Sequence, residues 1–213
     1  RILAGGQHST RQQIVRVDRE PSPVNSTVFR ELARAASAAL GKADAVIISD
    51  YGSGLITPEL VERLKTQLKK RRRRRQVPIV ADSRYSLMQF RGCTAYTPNQ
   101  AEVEASLGTP IDDDARRLET AGRLLLKRLR AGGVVITRGS RGMTVFVPGR
   151  RTDHISIHGS DEVADVTGAG DTVIATLTLA LSAGASLYEA ACLSNYAGGL
   201  VVLKRGTATV SQD

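Results

Sequence analysis

The sequence predicts an α/β protein built on a mainly parallel sheet with helices on both faces. Three observations predict it. Short apolar runs alternate with helical periodicities in a βαβ rhythm from Ala45 to Thr137. Asp50, Asp82, Asn99 and Arg138 follow successive apolar runs, at the carboxyl ends of strands, where ligands gather in such sheets. A turn of small residues, Gly168-Ala169-Gly170, then leads through Asp171 into a long apolar segment.

The elements follow in chain order. Gln12 to Asp18 alternates polar and apolar residues and reads as a strand of a small covering sheet. Ala45 to Ser49 is a short apolar strand ending at Asp50. Thr57 to Lys70 is a helix, with Thr57 as N-cap, Pro58 in the first position and Leu60, Val61, Leu64 and Leu68 on its apolar face. Val77 to Ala81 and Cys93 to Thr97 are the next strands, and Gln100 to Leu107 is a helix. Ala115 to Ala131 forms a further helix and Val134 to Thr137 a strand. Gly139 to Gly142 is a turn into Met143–Val147, which alternates like the edge strand of a hairpin. Val173, Leu177, Ala180 and Leu181 then share one face at helical spacing.

The start of that last helix carries the chemistry. Glycines let the backbone turn tightly, and the first amides of a helix have no intrahelical acceptor. With the positive end of the helix dipole they form an anion site, suited above all to phosphate. Asp171 sits at its edge, where a carboxylate suits a base facing a hydroxyl that attacks phosphorus. The competing reading makes Asp171 an N-cap behind a flexible loop.

Composition narrows the classes. With 213 residues, 41% of them hydrophobic, one globular domain with a sizeable core is expected over residues 1–213. No apolar run approaches a membrane span, and the first residues do not read as a signal peptide. Cys93 and Cys192 lack metal-type spacing and are expected as buried or half-buried thiols, which fits a reducing cytoplasm. The net charge of +9 is local. Lys69 to Arg75 supplies seven of the 30 basic residues, and without it 23 basic residues face 21 acidic ones. That run suits the solvated end of a helix, and no aromatic residue is interleaved for base stacking, so nucleic-acid binding ranks last. His8, His154 and His158 show no metal-ligand spacing and are expected in exposed loops. No P-loop pattern occurs, so any ATP is held in another way.

Asp165-Val166-Thr167-Gly168-Ala169-Gly170-Asp171-Thr172 resembles the C-terminal signature of the ribokinase-like (PfkB) family of carbohydrate kinases. Ser49 to Gly54, Thr97 to Glu102 and Leu203 to Ser211 resemble, in order, the heptose-7-phosphate kinases within that family. The resemblance implies a three-layer sandwich with part of a small β lid at residues 1–20. It implies phosphoryl transfer from ATP to a sugar or sugar-phosphate hydroxyl, in particular D-glycero-β-D-manno-heptose 7-phosphate to the 1,7-bisphosphate. By the same resemblance Asp171 is the catalytic base, and the amides of Gly168, Ala169 and Gly170 form the anion hole. Asn99 and Glu102 support Mg2+ near the phosphates, with Glu102 as the carboxylate. For Asn99 alone, a helix N-cap is the competing reading. Thr137, Arg138 and Gly139 belong to the segment at the nucleotide phosphates, and Asn195 lies near the adenine, where the alternative is a surface helix residue. Asp50 and Arg84 face the sugar phosphate, Arg84 with forked donors that suit a phosphate. Asp165 matches a ligand for a monovalent cation such as K+. The partners are then ATP and a sugar phosphate, without a membrane, and lid strands of this kind suit a homodimer. Two departures are visible. The resemblance begins after the family's N-terminal third, and Asp82-Ser83-Arg84-Tyr85 stands where the heptose kinases usually carry Asp-Pro-Lys-Gly. A non-catalytic nucleotide-binding or scaffold fragment is the alternative function.

Overall fold

The computed structural model describes residues 2–4, 12–15, 17, 25–70, 76–157, 166–204 and 208–210. The Arg71–Arg75 part of the basic run, His8, His158 and Asp165 lie outside them. Two short strands, β1 (Ile2–Ala4) and β2 (Gln12–Val15), pair antiparallel as a separate sheet. Helix α1 (Ser26–Ala39) follows, started by Asn25, whose side chain accepts from the Val28 amide. The expectations above contained no element there.

The main sheet begins with β3 (Val46–Asp50), crosses through α2 (Pro58–Lys70) and returns as β4 (Ile79–Ser83). Thr57 caps α2 as expected, its hydroxyl accepting from the Leu60 amide at 3.2 Å. β4 starts later than Val77 and runs through Asp82, because Val46 to Asp50 pair in register with Ile79 to Ser83. Asp50 is therefore the last rung of its strand and Asp82 the last but one, and neither lies beyond it. β5 (Ala95–Tyr96), α3 (Gln100–Leu107), α4 (Ala115–Leu129) and β6 (Val134–Thr137) complete the parallel part. Helix α4 stops before Ala131. Arg130 adopts a left-handed conformation (φ 50°) and the Ala131 amide reaches back to the Leu126 carbonyl.

β7 (Met143–Phe146) and β8 (Asp153–Ile155) then turn antiparallel, giving the order β3-β4-β5-β6-β7-β8. The expectation of an alternating edge strand at Met143–Val147 is corrected here. β8 pairs along its outer side, and all four residues of β7 are buried. His154 is likewise in β8 and not in a loop, its Nδ1 3.2 Å from the Thr144 hydroxyl. Helices α5 (Ala169–Ala183) and α6 (Leu187–Val202) end the fold.

Strand parity divides the core. Ile79, Ala81, Tyr96, Val134, Ile136 and Phe146 face one cluster with Val61 of α2, Val103 of α3 and Leu118 and Leu125 of α4. Val80, Ala95, Val135, Met143 and Val145 face the other, with Val173 and Leu177 of α5 and Ala190 of α6. Because neighbouring strand residues point to opposite faces, this parity makes three layers. Both cysteines are unpaired, Cys93 buried and Cys192 half-buried. Among the described residues no helix is long and apolar enough to cross a membrane.

Candidate active site

The carboxyl ends of β3, β4 and β6 and the start of α5 converge on a cavity of about 460 Å3. Asp50, Asp82 and Arg84 line it from the β3–β4 side, Asn99, Glu102 and Thr137 from the β5–β6 side, and Gly168, Gly170 and Asp171 from α5. A second compartment of about 330 Å3 shares Asn99, Thr137, Val166 and Gly170 with the first. Its walls are largely apolar, with Met143, Ile157, Val173 and Val202 among them, and they include Gly139, Ala169 and Asn195. Apart from Arg138, every described residue expected at the site lines one compartment or the other.

Gly168 is the N-cap of α5 with φ 83°. That left-handed conformation favours glycine, so the turn into the helix depends on this residue. It also separates the two readings of Asp171. Asp171 is not the cap but lies in the first turn of the helix. Its carboxylate accepts a hydrogen bond from the Tyr51 hydroxyl at 2.8 Å. The Ala169 amide donates to the Val166 carbonyl, which leaves Gly170 as the one of the three small residues lining both compartments.

Asn99 caps α3 in a reciprocal box, Asn99 Oδ1 accepting from the Glu102 amide and Glu102 Oε2 from the Asn99 amide, both at 2.9 Å. Capping and cavity lining coexist, since the box uses one oxygen of each side chain. Asn195 is not a surface residue. It is buried, and its amide donates to the Ser156 carbonyl at 2.7 Å, tying α6 to the segment that follows β8. Arg138 departs from the other strand-end residues. Its Nε donates to Gln100 Oε1, and it lines a neighbouring open groove rather than the cavity.

Asp50 is 5% exposed, with Oδ1 accepting from the Gly52 amide and Oδ2 from the Ser83 hydroxyl. Arg84 is exposed and packs 5.6 Å from the centre of the Tyr85 ring. Two further residues emerge that had been noted only for their position in a motif or at a strand end. Tyr51 holds Asp171, and the hydrogen bond raises its phenol above the ordinary value of 10, with burial adding to the shift. Asp82 has an oxygen with no hydrogen-bond partner. Burial, followed by the charges of Glu102 and Asp171, pushes its carboxyl up to about 7. A buried acid oxygen without a partner, on a residue that lines a cavity, is a signal only the folded chain carries.

A helix start with a carboxylate beside it and an adjoining apolar compartment, set at the ends of parallel strands, is the arrangement of an α/β fold of the ribokinase-like type. Residues 6–213 match the pfkB family of carbohydrate kinases, and the chain belongs to that family. It is 38% identical to the bifunctional protein HldE of Trichlorobacter lovleyi over 202 residues, 94% of this chain and 40% of that protein. HldE of Geobacter sulfurreducens is 38% identical over 99% of this chain and 41% of its own length. The chain thus spans about two fifths of these relatives. Among solved structures, phosphofructokinase-2 from Escherichia coli in complex with potassium superposes with a TM-score of 0.73 at 22% identity, covering 88% of this chain and 60% of that one. Arabidopsis thaliana ribokinase complexed with ribose and ATP gives 0.65 at 21% identity, covering 88% and 56%. These likenesses show the fold.

Proposed function

We propose that the chain transfers the γ-phosphoryl group of MgATP to a sugar-phosphate hydroxyl, with D-glycero-β-D-manno-heptose 7-phosphate as acceptor and the 1,7-bisphosphate as product. The observation that carries the reading is Asp171, a hydrogen-bonded carboxylate in the first turn of a glycine-started helix, in a cavity shared with Asn99 and Glu102. Its role is to take the acceptor hydroxyl's proton as the bond to phosphorus forms. Amides at the start of α5, Gly170 foremost, stabilise charge on the transferring group. The apolar compartment suits an adenine ring, bounded by Val173 and by Gly198, where a Cβ would come within 3.1 Å of Val173. Asn195 fixes one wall of it.

The donor set suits Mg2+. Asp82 offers a carboxylate oxygen without a partner and Glu102 a second carboxylate, while no described group of three acidic, histidine or cysteine side chains is close enough to cage a metal alone. Mg2+ keeps several waters and takes one or two carboxylates together with substrate phosphates. When bound, it supplies positive charge against the phosphate oxygens. Arg84, exposed at the mouth, is the cation for the acceptor's own phosphate. A K+ site at Asp165 and a homodimer through residues 1–20 belong to the same proposal by resemblance to the family. The heptose assignment rests on the Ser49–Gly54 and Thr97–Glu102 motifs. ADP release with MgATP, measured with and without heptose 7-phosphate, tests it. Acceptor-dependent ADP is expected, and ATP binding without such turnover would favour a non-catalytic nucleotide-binding role.

A further inference from the structure

We infer that Tyr51, aimed by the buried Asp50, is a positioning residue that fixes the carboxylate of Asp171, an inference that rests on the phosphoryl-transfer reading above. Tyr51 is the first residue past β3, and its hydroxyl donates to Asp171 Oδ1 at 2.8 Å across 120 residues of sequence.

The turn that carries Tyr51 is held from three sides. Asp50 Oδ1 accepts from the Gly52 amide at 3.0 Å, and Oδ2 accepts from the Ser83 hydroxyl at 2.7 Å. The Arg84 amide donates to the Asp50 carbonyl at 3.1 Å. Gly52 has φ 79°, and a Cβ there would lie 2.6 Å from the Tyr85 ring, so the turn favours glycine. Asp50 thus acts inside the protein, with both oxygens engaged, and reaches the reaction through Tyr51.

The consequence is chemical. A carboxylate on the first turn of a helix turns about two side-chain bonds, and a hydrogen bond to one oxygen removes most of that freedom. The other oxygen then remains to accept the acceptor's proton. A phenol, which ordinarily ionises near pH 10, stays a donor throughout the neutral range. The other charged groups lining the same cavity are Asp82 from β4, Glu102 from α3, Arg84 after β4 and Asp50 itself. The acids among them repel the Asp171 charge and do not orient it. Tyr51 supplies the orientation that they cannot.

The test is Tyr51→Phe, which keeps the exposed ring and removes one oxygen. The expected result is a loss of about 10- to 100-fold in kcat with KM for ATP changed less than about twofold, the pattern of a misaimed base. A second readout needs no acceptor. The five tyrosine ring signals are followed by NMR through alkaline pH, and the one lost in Tyr51→Phe is Tyr51. It should titrate above pH 10, and Asp171→Asn should bring it back towards the ordinary value. Wild-type turnover that survives Tyr51→Phe unchanged overturns the positioning role while the kinase reading stands. Tyr51 titration unmoved by Asp171→Asn also overturns it. Absence of wild-type turnover would count against the kinase reading, and the titration would then still decide the pairing.

Discussion

Asp82→Asn should stabilise the protein at pH 8 and leave it unchanged at pH 4. Folding raises the proton affinity of Asp82, from an ordinary 3.8 to about 7, chiefly because its carboxyl is removed from water. A group of this kind stabilises the native state while it remains protonated. Its contribution is complete below pH 3.8 and is lost as pH rises through about 7, because there the folded chain must either hold a proton or bury a charge. At 1.36 kcal/mol per tenfold change in affinity, the shift corresponds to at most ~4 kcal/mol, and partial solvent access at Asp82 reduces this to about 2–3. Asparagine keeps an acceptor in the same place without a charge. Urea denaturation of both proteins from pH 4 to 8.5, in metal-free buffer, reads the difference. The gap should open between pH 4 and 7 and then level off. For a chain of this length it corresponds to roughly 4–12 °C in Tm at pH 8. A gap that is flat with pH, or that widens towards acid, would refute the argument.

Other substitutions probe the remaining parts. Gly122→Ala should destabilise by about 1–3 kcal/mol in thermal unfolding, although alanine normally gains ~1 kcal/mol over glycine in a helix. A Cβ there would sit 2.3 Å from the ring of Phe146, which is fully buried and cannot yield. Asn195→Ala removes the donor to the Ser156 carbonyl and should cost about 1–3 kcal/mol, with KM for ATP rising more than KM for the sugar phosphate. Arg84→Ala should raise KM for the sugar phosphate by about 10- to 100-fold, and Arg84→Lys should recover only part of it, both read by initial rates.

Much of the fold was legible because its signals are local. The Thr57–Pro58 helix start, the Asn99 cap and the short apolar runs that become β3, β4 and β6 require only neighbours in sequence. Where neighbours mislead, the reading failed. α1 is rich in alanine, with Ala33 its one buried residue, and it was passed over although its apolar side chains recur at helical spacing. Met143–Phe146 alternates like an exposed strand, yet β8 covers its outer edge and the helices cover its faces. At the site, residue types were readable and their partners were not. Asp171 announced itself through Gly168-Ala169-Gly170, but the Tyr51 bond spans 120 residues and leaves no trace in spacing. Asp82 looked like one strand-end acid among several. Its raised proton affinity arises from burial and from Glu102 and Asp171, which only folding brings near.

The central claim is that Asp171 is the base of a phosphoryl transfer to a sugar phosphate. Its most direct test follows the γ-phosphate of labelled ATP into heptose 7-phosphate, comparing the wild-type chain with Asp171→Asn at equal ATP occupancy. The account predicts labelled 1,7-bisphosphate from the wild type and a loss of at least about a thousandfold in the variant, with ATP affinity nearly intact. Label transfer at a near-normal rate by Asp171→Asn would contradict it.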